Sequence, residues 1–225
     1  FKYSYGATAG VWATGGDLNT ARKYMAGAGT QTAALGFGGA SPVPSLALTE
    51  SYNGTSWTEV NDLNTARYAL GGAGTQTAAL GFGGYIPGSS ALTEIWNGTN
   101  WTEVNDLNAA RRYLAGAGAT NTAALAFGGT PTTAATETWN GTNWTEVNDL
   151  NTARQSLAGT GTNTAALAFG GNTGPAAVTE TWNGTNWTEV GDLNTARGYI
   201  GGCGTNTAAL AFGGSPGRQA VTESW

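Results

Sequence analysis

Any chemistry in this chain has to come from fourteen acidic side chains, nine basic ones, a single cysteine and no histidine. The acids form three sets: Asp17, Asp62, Asp106, Asp149 and Asp192, each followed by Leu; Glu50, Glu94, Glu137, Glu180 and Glu223; and Glu59, Glu103, Glu146 and Glu189. A general acid and a general base need two carboxylates in unlike surroundings, so that their proton affinities separate. Copied positions supply like surroundings instead. The absence of histidine removes Ser-His-Asp and Cys-His nucleophile systems and the usual zinc ligands. The residues therefore argue for a protein that is not an enzyme and has no cofactor and no metal centre. Cys203 fills the slot held elsewhere by Ala28, Ala73, Ala117 and Thr160, and is expected to be a small buried apolar group. As the lone cysteine it cannot form an intramolecular disulfide.

One acid-base pattern calls for closer weighing. Segments of the type "DLNTAR" put an arginine five residues after each of those aspartates, giving Asp17 with Arg22, Asp62 with Arg67, Asp106 with Arg111, Asp149 with Arg154 and Asp192 with Arg197. Five guanidiniums in a ring could hold an anion on an axis. Alternatively each arginine is neutralised by its aspartate and by nearby carbonyls. The one-to-one stoichiometry favours the second use, a structural ring whose members would be costly to remove singly.

The elements that carry these residues follow from the repeat. The sixteen residues "WNGTNWTEVNDLNTAR" run from Trp139 to Arg154 and again from Trp182 to Arg197, with Asn148 replaced by Gly191. Across the chain the Asp-Leu pair recurs at steps of 45, 44, 43 and 43 residues. "FGG" begins at Phe37, Phe82, Phe127, Phe169 and Phe212, and a tryptophan stands five residues before each aspartate, at positions 12, 57, 101, 144 and 187. A period of about 43–45 residues with glycine and aromatic markers predicts the blades of a propeller. Within one unit, residues 69–75 and 78–84 predict two strands joined at Gln76-Thr77, and residues 91–96 and 100–104 two more joined at Asn97-Gly98. The glycine-rich first strand is placed innermost, where only small side chains fit.

The expected fold is all-β: a five-bladed β-propeller of four-stranded antiparallel blades, a single domain over residues 1–225. The last unit stops at a third strand, and a strand at about residues 9–15 is expected to pair with it and close the ring, removing free sheet edges. Deleting residues 1–14 should then open the ring. The chain lacks an initiating methionine, which suggests a processed product or a segment of something longer.

A double glycine closing the second strand, an aromatic pair across the third-to-fourth hairpin such as Trp96 and Trp101, and an arginine entering the first strand closely resemble the kelch repeat. The resemblance covers nearly the whole chain and implies a propeller of the kelch and galactose-oxidase-like type. Galactose oxidase holds copper with histidine and tyrosine and carries a Cys-Tyr crosslink; the histidines are missing here. The wording of the repeat is also similar to units in predicted proteins of marine phages, which implies a virion or extracellular location.

Composition narrows the partners. A net charge of −5 without a Lys/Arg cluster argues against nucleic acid, and no apolar stretch is long enough to insert in a membrane as a helix. The paired tryptophans could stack on sugars, but burying one removes roughly 150–250 Å² from water, which points to core. The Asn-Gly-Thr and Asn-Trp-Thr triplets match glycosylation acceptors, and hairpin geometry already accounts for the first set. The copies disagree after "FGG", at the loops beginning Ala40, Tyr85, Thr130, Asn172 and Ser215. Alternating strand direction puts these five loops on the same face as the "DLNTAR" connections. They form a candidate recognition rim, with Tyr85, Ile86, Asn172, Arg218 and Gln219 as its most distinctive residues; drift of unconstrained loops would leave the same text. The expected function is a non-enzymatic binding or structural module, a phage appendage or adhesin that recognises a host-surface glycan or protein. The alternatives are a carbohydrate-active enzyme or its accessory domain, and a kelch-type protein-interaction adaptor.

Overall fold

The computed structural model describes residues 14–172 and 177–225, and shows an all-β ring of five antiparallel blades, a β-propeller. Blade 1 comprises β1 (Ala26–Thr30), β2 (Ala33–Phe37), β3 (Thr49–Tyr52) and β4 (Trp57–Val60). Blade 2 has β5 (Gly71–Gly74) and β6 (Ala79–Phe82), a small side hairpin of β7 (Tyr85–Ile86) and β8 (Gly88–Ser89), then β9 (Thr93–Trp96) and β10 (Trp101–Val104). Blade 3 runs through β11 (Ala115–Thr120), β12 (Ala123–Phe127), β13 (Thr136–Trp139) and β14 (Trp144–Val147). Blade 4 follows with β15 (Ala158–Gly161), β16 (Ala166–Phe169), β17 (Thr179–Trp182) and β18 (Trp187–Glu189). Blade 5 has three strands among the described residues: β19 (Gly201–Gly204), β20 (Ala209–Phe212) and β21 (Thr222–Ser224).

The glycine-rich strands β1, β5, β11, β15 and β19 do lie innermost, successive ones packing side by side. The reason is sharper than crowding at an axis. The second-strand phenylalanines of blades 1 to 4 reach into the next blade's inner strand: a Cβ on Gly116 would sit 2.6 Å from the Phe82 ring and 2.8 Å from the Gly72 carbonyl oxygen. Glycine is what admits the ring. The buried residues form four cores, one between each successive pair of blades from 1/2 to 4/5.

The aromatic pairs across the third-to-fourth hairpins are core as well. Trp96 and Trp101, Trp139 and Trp144, and Trp182 and Trp187 meet at 5.4–5.5 Å between ring centroids and are buried. Fourth-strand indoles also tie blades together. Trp101 packs on Phe37 of blade 1 and donates from Nε1 to Thr49 Oγ1, as Trp144 does to Phe82 and Thr93, and Trp187 to Phe127 and Thr136. The corresponding Phe169 and Thr179 of blade 4 line, with Leu193 and Trp225, a cavity of about 60 Å³. The repeat register gives the matching tryptophan position 12, and residues 9–13 of the expected closing strand lie outside the described residues.

Two expectations need correction. The third-to-fourth hairpins are four-residue turns, with only the glycine left-handed (Gly98, φ 94°). Asn97 stays out of that region because its Oδ1 accepts hydrogen bonds from the Thr99 and Asn100 amides, which pins the turn locally. Cys203 is exposed, whereas Ala73 and Ala117 at its position are buried. Those alanines belong to cores shared with the following blade. Cys203 faces the junction of blade 5 with blade 1, where Leu210 is exposed too.

Candidate functional site

The "DLNTAR" segments are fully committed to structure, with a different division of labour from the one the spacing suggests. Each arginine contacts the third-strand glutamate of the blade it enters: Arg22 with Glu50 at 2.6 Å, Arg67 with Glu94 at 3.2 Å, Arg111 with Glu137 at 2.7 Å, Arg154 with Glu180 at 2.9 Å, and Arg197 with Glu223. The five guanidinium side chains are no more than 1% exposed. The expected Asp partner is therefore replaced by Glu. Asp62, Asp106, Asp149 and Asp192 instead accept the backbone N–H of Thr49, Thr93, Thr136 and Thr179, the start of the preceding blade's third strand. The asparagine two residues on completes the link by donating its backbone and side-chain N–H groups to the next blade's glutamate, as Asn64 does to Glu94. One six-residue segment thus ties two blades, and this needs both carboxylates.

Electrostatics follow from that geometry. Burial pushes the Glu50 carboxyl up, but the Asn19 hydrogen bonds and the Arg22 charge outweigh it and hold the group below the ordinary glutamate value. Glu223 is lowered in the same way against its burial by Asn194 and Arg197. Burial lowers Arg67, Arg111 and Arg154, and the neighbouring carboxylates offset part of that shift.

Two residues past each of these arginines the chain enters the left-handed region without glycine: Tyr24, Ala69, Tyr113, Ser156 and Tyr199 have φ between 52° and 57°. Such conformations cost of order 1–3 kcal/mol each and persist only where surroundings impose them. Here a chain of hydrogen bonds imposes them: Ala69 N–H donates to Tyr24 O, Tyr113 to Ala69, Ser156 to Tyr113 and Tyr199 to Ser156, each at 2.8 Å. The residue after each arginine pairs in turn with the first residue past "FGG", as in the bridges Lys23–Ala40, Tyr68–Tyr85, Arg112–Thr130 and Gly198–Ser215. The divergent loops and the connections therefore do share one face, and the left-handed residues ring its centre.

That centre is aromatic and cationic. Tyr24, Tyr113 and Tyr199 form a triangle with centroids 5.6–6.0 Å apart. Tyr68 joins it through Tyr24 at 6.0 Å, and Tyr85 stacks on Tyr68 at 4.8 Å. Five of the eight tyrosines thus make one patch. Lys23 Nζ lies over the Tyr24 ring at 5.3 Å and the Arg112 guanidinium over Tyr85 at 5.1 Å. Below the triangle is an axial cavity of about 350 Å³ reached by Leu70, Leu114, Leu157 and Ser156. Ser156 is 5% exposed and its hydroxyl meets no protein partner. Beside the triangle, Tyr24, Tyr199, Ser215, Arg218 and Gln219 line a cup of about 430 Å³. Burial and the neighbouring tyrosines push Tyr113 up to about 12, so its hydroxyl remains a donor at any ordinary pH.

Of the rim residues singled out from sequence, Arg218 and Gln219 share the cup, and Tyr85 belongs to the patch. Gln219 is partly occupied within its own loop, donating from Nε2 to Pro216 O. Ile86 is half-buried in the side hairpin. Asn172 stands apart, its N–H bonded to Gln155 O and its carboxamide set against Gly198. Tyr24, Tyr68, Tyr113, Tyr199, Lys23 and Arg112 were not singled out. Their signal was present, since the two positions after the arginine differ from copy to copy just as the loops do. Among the described residues no group of three or more His, Cys, Asp or Glu could hold a metal ion. No protein-family model matches the chain, and no curated protein matches it in sequence.

Proposed function

We propose that this chain is a non-enzymatic binding module, a kelch-type propeller displayed on a phage particle or extracellular appendage, that recognises a host-surface glycan or protein through its loop face. The observation that carries this reading is the division between copied and divergent residues. Copied arginines, third-strand glutamates, four of the aspartates and the tryptophans are consumed by contacts within and between blades, while divergent positions gather into one patch of tyrosines and cations. Aromatic side chains supply large contact area with little conformational freedom to lose, which suits recognition. The kelch markers and the phrase-level likeness to marine phage repeats support the type and the setting. The third-strand glutamates and four of the aspartates support a binding role by being tied to arginine and backbone partners, and the fourth-strand glutamates by repeating at like, exposed positions.

The test is to probe the immobilised protein with host-surface glycans and whole cells, beside a variant in which Tyr68, Tyr85 and Arg218 are replaced together by Ser. Binding lost in that variant, and kept when the opposite-face threonines Thr162 and Thr205 are changed to Ser, is the expected result. Absence of any ligand for every version would leave a purely structural role in its place.

A further inference from the structure

Five of the nine basic side chains are spent in the buried Arg-Glu pairs. Of the other four, Lys2 lies outside the described residues, and Lys23, Arg112 and Arg218 all stand on the loop face against the tyrosine patch. None of these three forms a salt bridge with a described acid, and all fourteen acids are described. Thirteen of those acids sit farther from the axis: Glu50, Glu94, Glu137, Glu180 and Glu223 inside the blades on third strands, four aspartates on third-strand amides, and Glu59, Glu103, Glu146 and Glu189 on the outermost strands. A protein of net charge −5 thus presents a locally positive centre on one face, and none of its acids lines the cup or the axial cavity there.

We propose that this centre is the binding site for an acidic carbohydrate, a sugar ring bearing a carboxylate, seated in the cup between Tyr24 and Tyr199. The proposal rests on the binding-module reading and names its ligand. Tyr24 and Tyr199 are the exposed tyrosines of the patch, at 39% and 44%, and they flank a cup of about 430 Å³, within the range of small-ligand sites. Their rings supply stacking surface for the apolar face of a sugar; Arg218 in the cup, and Lys23 over the Tyr24 ring beside the adjoining cavity, supply the charge for its carboxylate. The remaining polar groups are neutral: Ser215 and Gln219 in the cup, and the unpartnered Ser156 hydroxyl in the adjoining axial cavity, which shares Tyr24 and Tyr199 with it. Such groups match sugar hydroxyls. A bound peptide would pair through its backbone, and here the backbone N–H groups of Lys23, Gly198 and Ser215 are already bonded to Ala40, Ser215 and Gly198. What the site offers is side chains.

The experiment is titration calorimetry of the intact chain with an oligosaccharide ending in a uronic acid, beside the same sugar with its carboxyl reduced to an alcohol and an acidic peptide of equal charge. The uronate should bind, the reduced sugar at least about tenfold more weakly, and affinity should fall as salt rises. Arg218→Gln and Lys23→Gln, both at exposed positions, should each weaken the uronate about three- to fivefold and leave the melting temperature unchanged. Tyr199→Ala should weaken it about fivefold or more, and Tyr199→Phe should restore the stacking and most of the affinity. Equal binding of acid and reduced sugar overturns the proposal, as does an unaltered affinity in Tyr199→Ala. Binding of the peptide alone overturns it in favour of a protein receptor. Cell binding that survives all four substitutions but is lost on changing Tyr68 and Tyr85 overturns it while the binding-module reading stands.

Discussion

The most informative residues are the buried charges and the left-handed positions, because each carries a cost that its surroundings must offset. Replacing Arg111 by Leu leaves Glu137 buried without its cation, and Glu137→Gln does the reverse. Each should cost about 3–5 kcal/mol in urea unfolding, and the double replacement should cost less than the sum of the two. Additive losses would show that the pair is not a unit. Ser156→Gly relieves a left-handed conformation and deletes a buried hydroxyl without a partner. It should raise stability by about 1 kcal/mol; a loss would mean that the hydroxyl has a stabilising contact in solution. The titrating groups set the pH limits. Tyr113 is protonated in both states below pH 10, while between 10 and about 12 the unfolded chain gives up the proton and the folded one does not, so stability falls across that window. Glu50 and Glu223 are lowered, so the stabilisation they provide is full above the ordinary glutamate value of about 4.3 and is lost as pH falls through their folded values. Melting curves from pH 3 to 12 should show both declines, with the alkaline one reduced in Tyr113→Phe.

At the level of strands, the coupling unit is a phenylalanine inserted over a neighbour's glycine. Gly116→Ala places a methyl 2.6 Å from the Phe82 ring, with the Gly72 backbone carbonyl behind it, and should cost about 1–3 kcal/mol by overpacking. Phe82→Ala should cost about 3–5 kcal/mol by leaving a cavity. Combining the two should give strong non-additivity, because the added methyl then fills part of the space that the ring vacated. Simple addition of the two losses would contradict contact between these strands. The blade pattern was legible because period-two strands, "FGG" and Asn-Gly turns are local signals. The partner of each arginine was not, since Asp62 is nearer in sequence to Arg67 than Glu94 is, and only the sheet brings Glu94 to it.

Across the ring, four junctions have their own cores among the described residues, and blades 1, 2 and 3 each seat the next blade's fourth-strand tryptophan against a second-strand phenylalanine. The repeat register gives the tryptophan at position 12 the matching place in the sequence. Trp12→Ala should therefore behave as loss of a core tryptophan, about 3–5 kcal/mol, lowering the melting temperature by roughly 10 °C at this chain length. Deleting residues 1–14 should lower it at least as far. An unchanged melting temperature in both would show that closure does not depend on this segment.

The sequence by itself determined the number of blades, the order of strands within them, the innermost place of the glycine-rich strands and the shared face of loops and connections. All of these follow from a repeated text whose local signals set strand, turn and direction. Only the tertiary structure decided which acid holds each arginine, that Cys203 faces solvent, and that Tyr24, Tyr68, Tyr85, Tyr113 and Tyr199 form a single patch beside three cations that form no salt bridge with a described acid. These residues are spread over 176 positions of sequence, from 24 to 199. They meet because the ring brings the same position of every blade to one axis, a proximity that no local signal encodes.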